Sequence, residues 1–258
     1  MRSLGDILTP STGQVRAEFC DKHGDFEARH ITGRIWSTCL GCSADRCATK
    51  AIRKAENDAK VLAAHWQKTL SVACIPERFL DRTLENYGLT NEGQHKAHEF
   101  SKVYAESFKG VKTGRCAIFS GERGTGKTHL AIGIAQHVMR NYGKTAVFVT
   151  VQRLIRAVRD TWRKGSTMSE SDVVAMFTSP DLLILDEIGV QAGSENEKHI
   201  LFDVLNERYE QRKSTLLLTN LTVEECKIFL GERVFDRLRE DGGEVIPFDW
   251  ASERGAKA

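Results

Sequence analysis

The chain has 258 residues, 41% hydrophobic and 28% charged, which is the balance of a folded globular protein whose core needs no disulfide staples. Thirty-seven Lys and Arg stand against thirty-five Asp and Glu, a formal charge of +2 that excludes a polycation and an acidic disordered chain but not a local basic patch. No apolar run reaches the roughly 18–20 residues of a membrane helix, and MRSLGDILTP lacks the apolar stretch of a secretory signal, so the expectation is a cytoplasmic protein with no membrane partner.

In chain order, residues 1–15 read as a loose tail. Residues 16–48 are short, polar and rich in Cys, His and Gly. Cys20 and His23, then Cys39 and Cys42, form two close pairs with the spacing of a four-ligand zinc site. Each pair reads as a knuckle-like turn, with Gly24 and Gly41 permitting tight backbone. Cys47 and His30 remain alternative ligands. Four protein ligands leave no open position, so the Zn²⁺ is expected to be structural and to fold a segment too small for a core. Residues 49–70 lack Gly and Pro, and Ile52, Ala55, Ala59, Leu62, Trp66 and Leu70 recur at helical spacing. Packing on its own protein and a partner-binding seam are both open for that stripe. Pro76 ends this stretch. The expected organisation is a zinc module over 1–48, a partner-binding helix and linker over 49–74, and a larger domain over 75–258.

From residue 95 onward helices and strands alternate. Helices are expected over 95–108, 128–143, 152–164, 197–212 and, once or twice, 223–241. Short apolar strands are expected at 115–121, 145–151, 181–189, 214–220 and 243–250. The fold class is α/β, a parallel sheet between helices.

Gly121-Glu122-Arg123-Gly124-Thr125-Gly126-Lys127-Thr128 is a G-x-x-x-x-G-K-T loop between a strand and a helix. Its glycines let backbone N–H groups curl around phosphates, the helix N-terminus adds partial positive charge, Lys127 reaches the β- and γ-phosphates of ATP, and Thr128 offers a hydroxyl to Mg²⁺. The strand Leu182–Leu185 runs into Asp186 and Glu187. Asp186 suits the Mg²⁺, and Glu187 suits a general base that polarises the attacking water. Asn220 ends another apolar strand, where its amide can orient that water. Arg153, Arg156, Arg159 and Arg163 recur along one helix, opposite Ile155, Val158 and Trp162. Such a stripe fits a solvated face or a single-stranded DNA contact.

The order of P-loop, acid-pair strand and Asn-ended strand resembles AAA+ ATPases. GERVFDRL followed by FDW, and IPERFLDRTLENY before the P-loop, resemble the DnaC-type bacterial helicase loaders. That resemblance covers about residues 72–254. It implies an AAA+ P-loop NTPase core that hydrolyses ATP, with no room after FDW for a C-terminal lid. It implies an arginine finger at Arg237, with Arg233 second, reaching a neighbouring subunit and so requiring ATP-dependent self-association. It also implies a sensor role for Arg254, single-stranded DNA binding, and a replicative DnaB-type helicase as partner. The Cys/His segment departs from the simplest loaders and resembles phage- and prophage-borne relatives with an N-terminal zinc segment. An IstB-type transposition helper shares the same core resemblance. A small-molecule kinase and an adaptor with a degenerate site are further alternatives, and the adjacent Asp186 and Glu187 and the Asn220 strand end favour water as phosphate acceptor.

Overall fold

The computed structural model describes residues 13–32, 34–54, 57, 73–110, 114–189 and 195–253. The chain divides into two compact units, Met1–Gln67 and Lys68–Ala258.

In the N-terminal unit, β1 (Val15–Cys20) and β2 (Gly24–Thr32) form an antiparallel hairpin, and β3 (Ile35–Trp36) adds to β2. The turn between β1 and β2 ends at Gly24, whose φ of +77° suits the residue that closes a three-residue hairpin loop. A helix, α1, begins at residue 40 and runs through 54. This differs from the expected knuckle and later helix. The Cys20–His23 pair sits on the hairpin turn, whereas Cys39 precedes and Cys42 lies within the first turn of α1. Gly41 is helical, and its role is space: a Cβ there would lie 2.6 Å from the His23 ring. Of the expected apolar stripe, Ile52 is exposed, and Ala55, Ala59, Leu62, Trp66 and Leu70 lie outside the described residues.

The second unit holds a five-stranded all-parallel sheet in the order β5-β6-β7-β4-β8. Its strands are β4 (Ala117–Gly121), β5 (Ala146–Thr150), β6 (Leu182–Ile188), β7 (Ser214–Thr219) and β8 (Glu244–Phe248). All five coincide with the expected apolar runs. Helix α2 (Glu92–Glu106) precedes β4, and between the strands come α3 (Lys127–Tyr142), α4 (Val151–Asp160), α5 (Glu170–Thr178), α6 (Glu195–Glu210), α7 (Val223–Leu230) and α8 (Glu232–Arg239). The central strands β4, β6 and β7 are buried on both faces, as a parallel sheet requires, whereas edge strand β8 buries only Phe248. Ile118, Leu183, Leu185 and Leu217 join one core with Leu154, Val204, Leu230 and Phe235 from α4–α8. The alternate residue Phe119 instead meets Phe100 of α2 and Phe248 of β8.

Two helical expectations need correction. Helix α5 was not foreseen. It is nine residues long, too short for a clear period, and its signal is the capping box of Ser169 and Asp172. Helix α4 stops at Asp160, so Trp162 and Arg163 lie beyond it. Trp162 is 53% exposed and donates its indole N–H to Glu170 at 2.6 Å, so it does not extend the apolar side of α4.

Arg208 is fully buried without a carboxylate partner in its hydrogen-bond set. Its guanidinium donates to Thr215 Oγ1 and to the carbonyls of Phe177, Thr178, Pro180 and Ser214, tying α5 to the start of β7 through α6. Burial pulls its pKa down to about 10.

Candidate functional site

Parallel strands bring their carboxyl ends to one edge of the sheet. There β7 lies between β4 and β6, so Asn220 stands between the Gly121–Thr128 loop and the Asp186–Glu187 pair. Three strand ends are laced together around it. Ser120 Oγ donates to the Leu221 carbonyl at 2.6 Å, the Leu221 N–H donates to Thr219 Oγ1 at 3.0 Å, and Thr219 Oγ1 donates to the Ile188 carbonyl at 2.9 Å. Asn220 itself is exposed.

The loop has the backbone of a phosphate cradle. Gly124 and Gly126 have φ of +86° and +92°, where a side chain is strained, and Gly126 is the N-cap of α3. Lys127 is buried, with its ammonium on the carbonyls of Gly121 at 2.6 Å and Glu122 at 2.7 Å. Glu122 and Arg123 are exposed at the loop's crest. The Thr128 hydroxyl donates to Asp186 Oδ2 at 3.2 Å. These are two hard oxygens at the mouth of an anion cradle, a donor set that fits Mg²⁺.

Asp186 and Glu187 occupy a bulge. Leu185 pairs with Leu217 and Ile188 with Thr219, so two residues of β6 oppose Leu218 alone. Glu187 takes a φ of +64°, uncommon for a residue with a side chain, and its N–H donates to Asp186 Oδ1 at 2.7 Å. The bulge leaves Glu187 exposed and returns Ile188 to the core. Burial raises the Asp186 carboxyl above its ordinary range; the Glu187 N–H and the Thr128 hydroxyl pull it back, and the Glu187 charge adds to the rise.

The lead-in that resembles the loaders lies against α2 and α3. His98 Nε2 meets the Leu84 carbonyl at 2.7 Å, His129 Nε2 the Thr83 carbonyl at 3.0 Å, and the Gln136 amide donates to the Leu80 carbonyl at 3.0 Å. A Cβ on Gly133 would lie 2.9 Å from the Leu84 nitrogen, so this helical glycine is needed for close approach. The lead-in ends at Tyr87, which contacts the loop from behind together with Trp250. Both segments carry the family resemblance, but no local pattern in them assigns Tyr87 or Trp250 a role.

Arg237 is half-buried, donates to Asn206 Oδ1 at 2.6 Å and lies 4.7 Å over the Tyr209 ring. Arg233, one turn earlier, is exposed. Arg153, Arg156 and Arg159 are exposed along α4; Arg159 pairs with Glu197 at 3.0 Å, and Arg163 with Asp160 at 3.2 Å. Arg254 lies outside the described residues.

The N-terminal ligands converge. The donor atoms of Cys20, His23, Cys39 and Cys42 all lie within 4.8 Å of one another. Cys20 Sγ and Cys42 Sγ are 3.5 Å apart, and His23 Nδ1 is 3.7 Å and 3.5 Å from them. Tetrahedral zinc, with Zn–S of roughly 2.3 Å, separates its sulfurs by roughly 3.8 Å, so the set fits that ion. Cys47 is exposed and His30 lies edge-on to Trp36, both outside the cluster. Asp45 Oδ2 stands 3.4 Å from His23 Nε2, a carboxylate that leaves Nδ1 to face the cluster. Nothing in the sequence spacing had marked Asp45. The Lys22 N–H, then His23, pull the Cys20 thiol down to about 6, while Cys42, sharing a hydrogen bond with it, is pushed up to about 11.

The family model described as IstB-like ATP binding protein matches residues 55–240. The chain belongs to that family. Its similarity extends to the replicative helicase loader DnaC of Escherichia coli (strain K12), 36% identical over 204 residues, which are 79% of this chain and 82% of that protein. The DnaC of Buchnera aphidicola subsp. Baizongia pistaciae is 36% identical over 192 residues, covering 74% of this chain and 77% of that one. A crystal structure of the DnaC helicase loader superposes with a TM-score of 0.59 at 23% identity, over 67% of this chain and 99% of the other, and shows the AAA+ core fold. The family match begins at residue 55, so the Cys/His cluster lies outside it. No helix among the described residues is long and apolar enough to cross a membrane.

Proposed function

We propose that the chain is an ATP-dependent helicase loader of DNA replication, which binds a replicative DnaB-type helicase and delivers it to single-stranded DNA. One observation carries the chemistry: in a chain of this family, Thr128 and Asp186 meet at 3.2 Å at the mouth of the Gly121–Thr128 cradle. The names of the 36% identical relatives support the loader reading over an IstB-type transposition helper, which shares only the family model.

In this reading the cradle amides and the α3 N-terminus bind the phosphates of ATP. Lys127 leaves the Gly121 and Glu122 carbonyls for the β- and γ-oxygens. Thr128 and Asp186 hold Mg²⁺, which when bound neutralises charge on the phosphates. Glu187 takes a proton from the attacking water as its oxygen bonds the γ-phosphorus and the bond from that phosphorus to the β–γ bridging oxygen breaks, ADP leaving, and Asn220 orients that water. Arg237 serves as the arginine finger toward a neighbouring subunit. To do so it must give up Asn206, which makes that bond a brake on assembly; exposed Arg233 is the second candidate. ATP then joins subunits, and hydrolysis releases the loader. Exposed Arg153, Arg156 and Arg159 line the face for single-stranded DNA.

Cys20, His23, Cys39 and Cys42 hold a structural Zn²⁺. The module over 1–48 and the segment 49–74 address the helicase, and 75–258 is the ATPase domain. The site of action is the cytoplasm. The test is transfer: the chain, Mg·ATP, a hexameric replicative helicase and circular single-stranded DNA are mixed, and helicase retained on the circle is measured. The expected result is retention that needs the loader. Indifference to helicase, with capture of a transposase on duplex DNA, selects the second reading.

A further inference from the structure

Two peptide units of the cradle are gripped from behind by segments far away in sequence. The Trp250 indole N–H donates to the Thr125 carbonyl at 2.9 Å, and the Tyr87 hydroxyl donates to the same oxygen at 3.3 Å. The Glu253 backbone N–H donates to the Gly124 carbonyl at 3.1 Å. A trans peptide is planar, so the carbonyl of one residue and the N–H of the next point in opposite directions. Holding the Gly124 carbonyl outward therefore turns the Thr125 N–H inward. Holding the Thr125 carbonyl outward does the same for the Gly126 N–H. These are two of the amides that a phosphate needs.

The grip is packed as well as bonded. A Cβ on Gly126 would lie 2.7 Å from the Tyr87 ring, and one on Gly93 would lie 2.8 Å from the Trp250 ring. Phe248 and Trp250 rings are 4.8 Å apart. The tail is in turn tied to α2. Buried Gln94 donates its amide N–H to the Glu253 carboxylate, and its oxygen accepts the Thr90 N–H at 2.5 Å and the Thr90 hydroxyl at 2.9 Å.

We propose that Tyr87, Trp250 and Glu253 are positioning residues for the nucleotide, acting through the Gly124 and Thr125 carbonyls, so that the tail after β8 sets the anion affinity of the cradle. This rests on the nucleotide reading of that loop. It makes a distinction that contact with the base would not. A residue that aims cradle amides weakens any bound polyphosphate, whereas one that touches the base weakens ATP alone.

The experiment measures dissociation constants of Mg·ATP and Mg·tripolyphosphate for the metal-loaded full chain by calorimetry. Trp250→Phe keeps a ring and removes the donor. It is expected to weaken both ligands by the same factor, about threefold to tenfold for one hydrogen bond, to raise KM for ATP more than it lowers kcat, and to leave the nucleotide-free melting temperature in place. Glu253→Pro removes the N–H together with the carboxylate that Gln94 holds and is expected to weaken both ligands, whereas Glu253→Gln, which keeps that N–H and an acceptor for Gln94, is expected to keep the parental affinities. Unchanged affinities, or a loss confined to ATP, overturn the proposal. If Trp250→Phe lowers the melting temperature, Tyr87→Phe, which removes one hydroxyl from the same carbonyl, is judged by the same two ligands. Lys127→Ala separates the readings: if it binds ATP as the parent does, the nucleotide assignment itself fails and this one with it.

Discussion

In the unit Lys68–Ala258, Leu182, Leu183, Ile184 and Leu185 are all at zero exposure in a strand covered on both faces. In the unit Met1–Gln67, the buried apolar side chains among the described residues are Ala28 and Cys39, while Phe19 is 70% exposed and Leu40 84%. A buried Leu contributes about 1.5–3 kcal/mol, so one such strand goes far toward a domain's net stability. The hairpin and α1 have no such source. A zinc site of this ligand type supplies about 10–16 kcal/mol of apparent binding energy, and where the described residues bury so little apolar surface that is the folding energy. Hydrophobic burial holds the larger unit of this chain and, in the proposed reading, metal coordination holds the smaller.

The largest effect should come from removing the metal. A strong chelator, or Cys39→Ser, is expected to unfold residues 13–54, read as lost protection from proteolysis, while Mg·ATP still binds the second unit. Loss of nucleotide binding in the same titration would erase the distinction between the two units. Arg208→Met tests the other side. It strands several buried carbonyls around α5 and β7 and is expected to cost about 3–5 kcal/mol, visible as a lower urea midpoint for the ATPase unit alone, with metal content unchanged.

Within the ATPase unit, Glu187→Gln should retain ATP binding and lower turnover by about 10²-fold or more; turnover at the parental rate would remove Glu187 from its assigned role. The smallest effect concerns Asp186. Burial raises its folded pKa, so the folded chain holds that proton more tightly than the unfolded chain does. Stability is then lost as pH rises from the unfolded value through the folded one, and the charge at neutral pH is a standing cost. Asp186→Asn should raise the nucleotide-free melting temperature at pH 7 by about 1–3 °C and abolish Mg²⁺-dependent ATP binding. A lower melting temperature would show that its Thr128 and Glu187 bonds outweigh that cost.

The sequence made the same division visible unevenly. The five strands of the sheet were legible because a strand buried on both faces is a short apolar run ended by polar residues, as in Leu182–Asp186 and Leu216–Asn220. The cradle was legible because its glycines and Lys127 sit at fixed spacing. The hairpin was not, because it has no apolar face: in β1, Val15, Arg16, Ala17 and Phe19 are exposed while Glu18 and Cys20 are half-buried. The bulge at Glu187, the hydroxyls of Ser120 and Thr219 and the grip of Tyr87 and Trp250 join residues distant in the chain, and no local pattern encodes those meetings. Asp45 lies close in sequence to Cys42, yet one acidic residue near a cysteine carries no signal until α1 turns it toward His23.

The most direct test of the account is native mass spectrometry of the metal-loaded chain with a hexameric replicative helicase, with and without Mg·ATP. The account predicts a loader–helicase complex with one zinc per loader subunit, and loader subunits that associate only when ATP is present and Lys127 is intact. A chain whose mass ignores both helicase and ATP would contradict it.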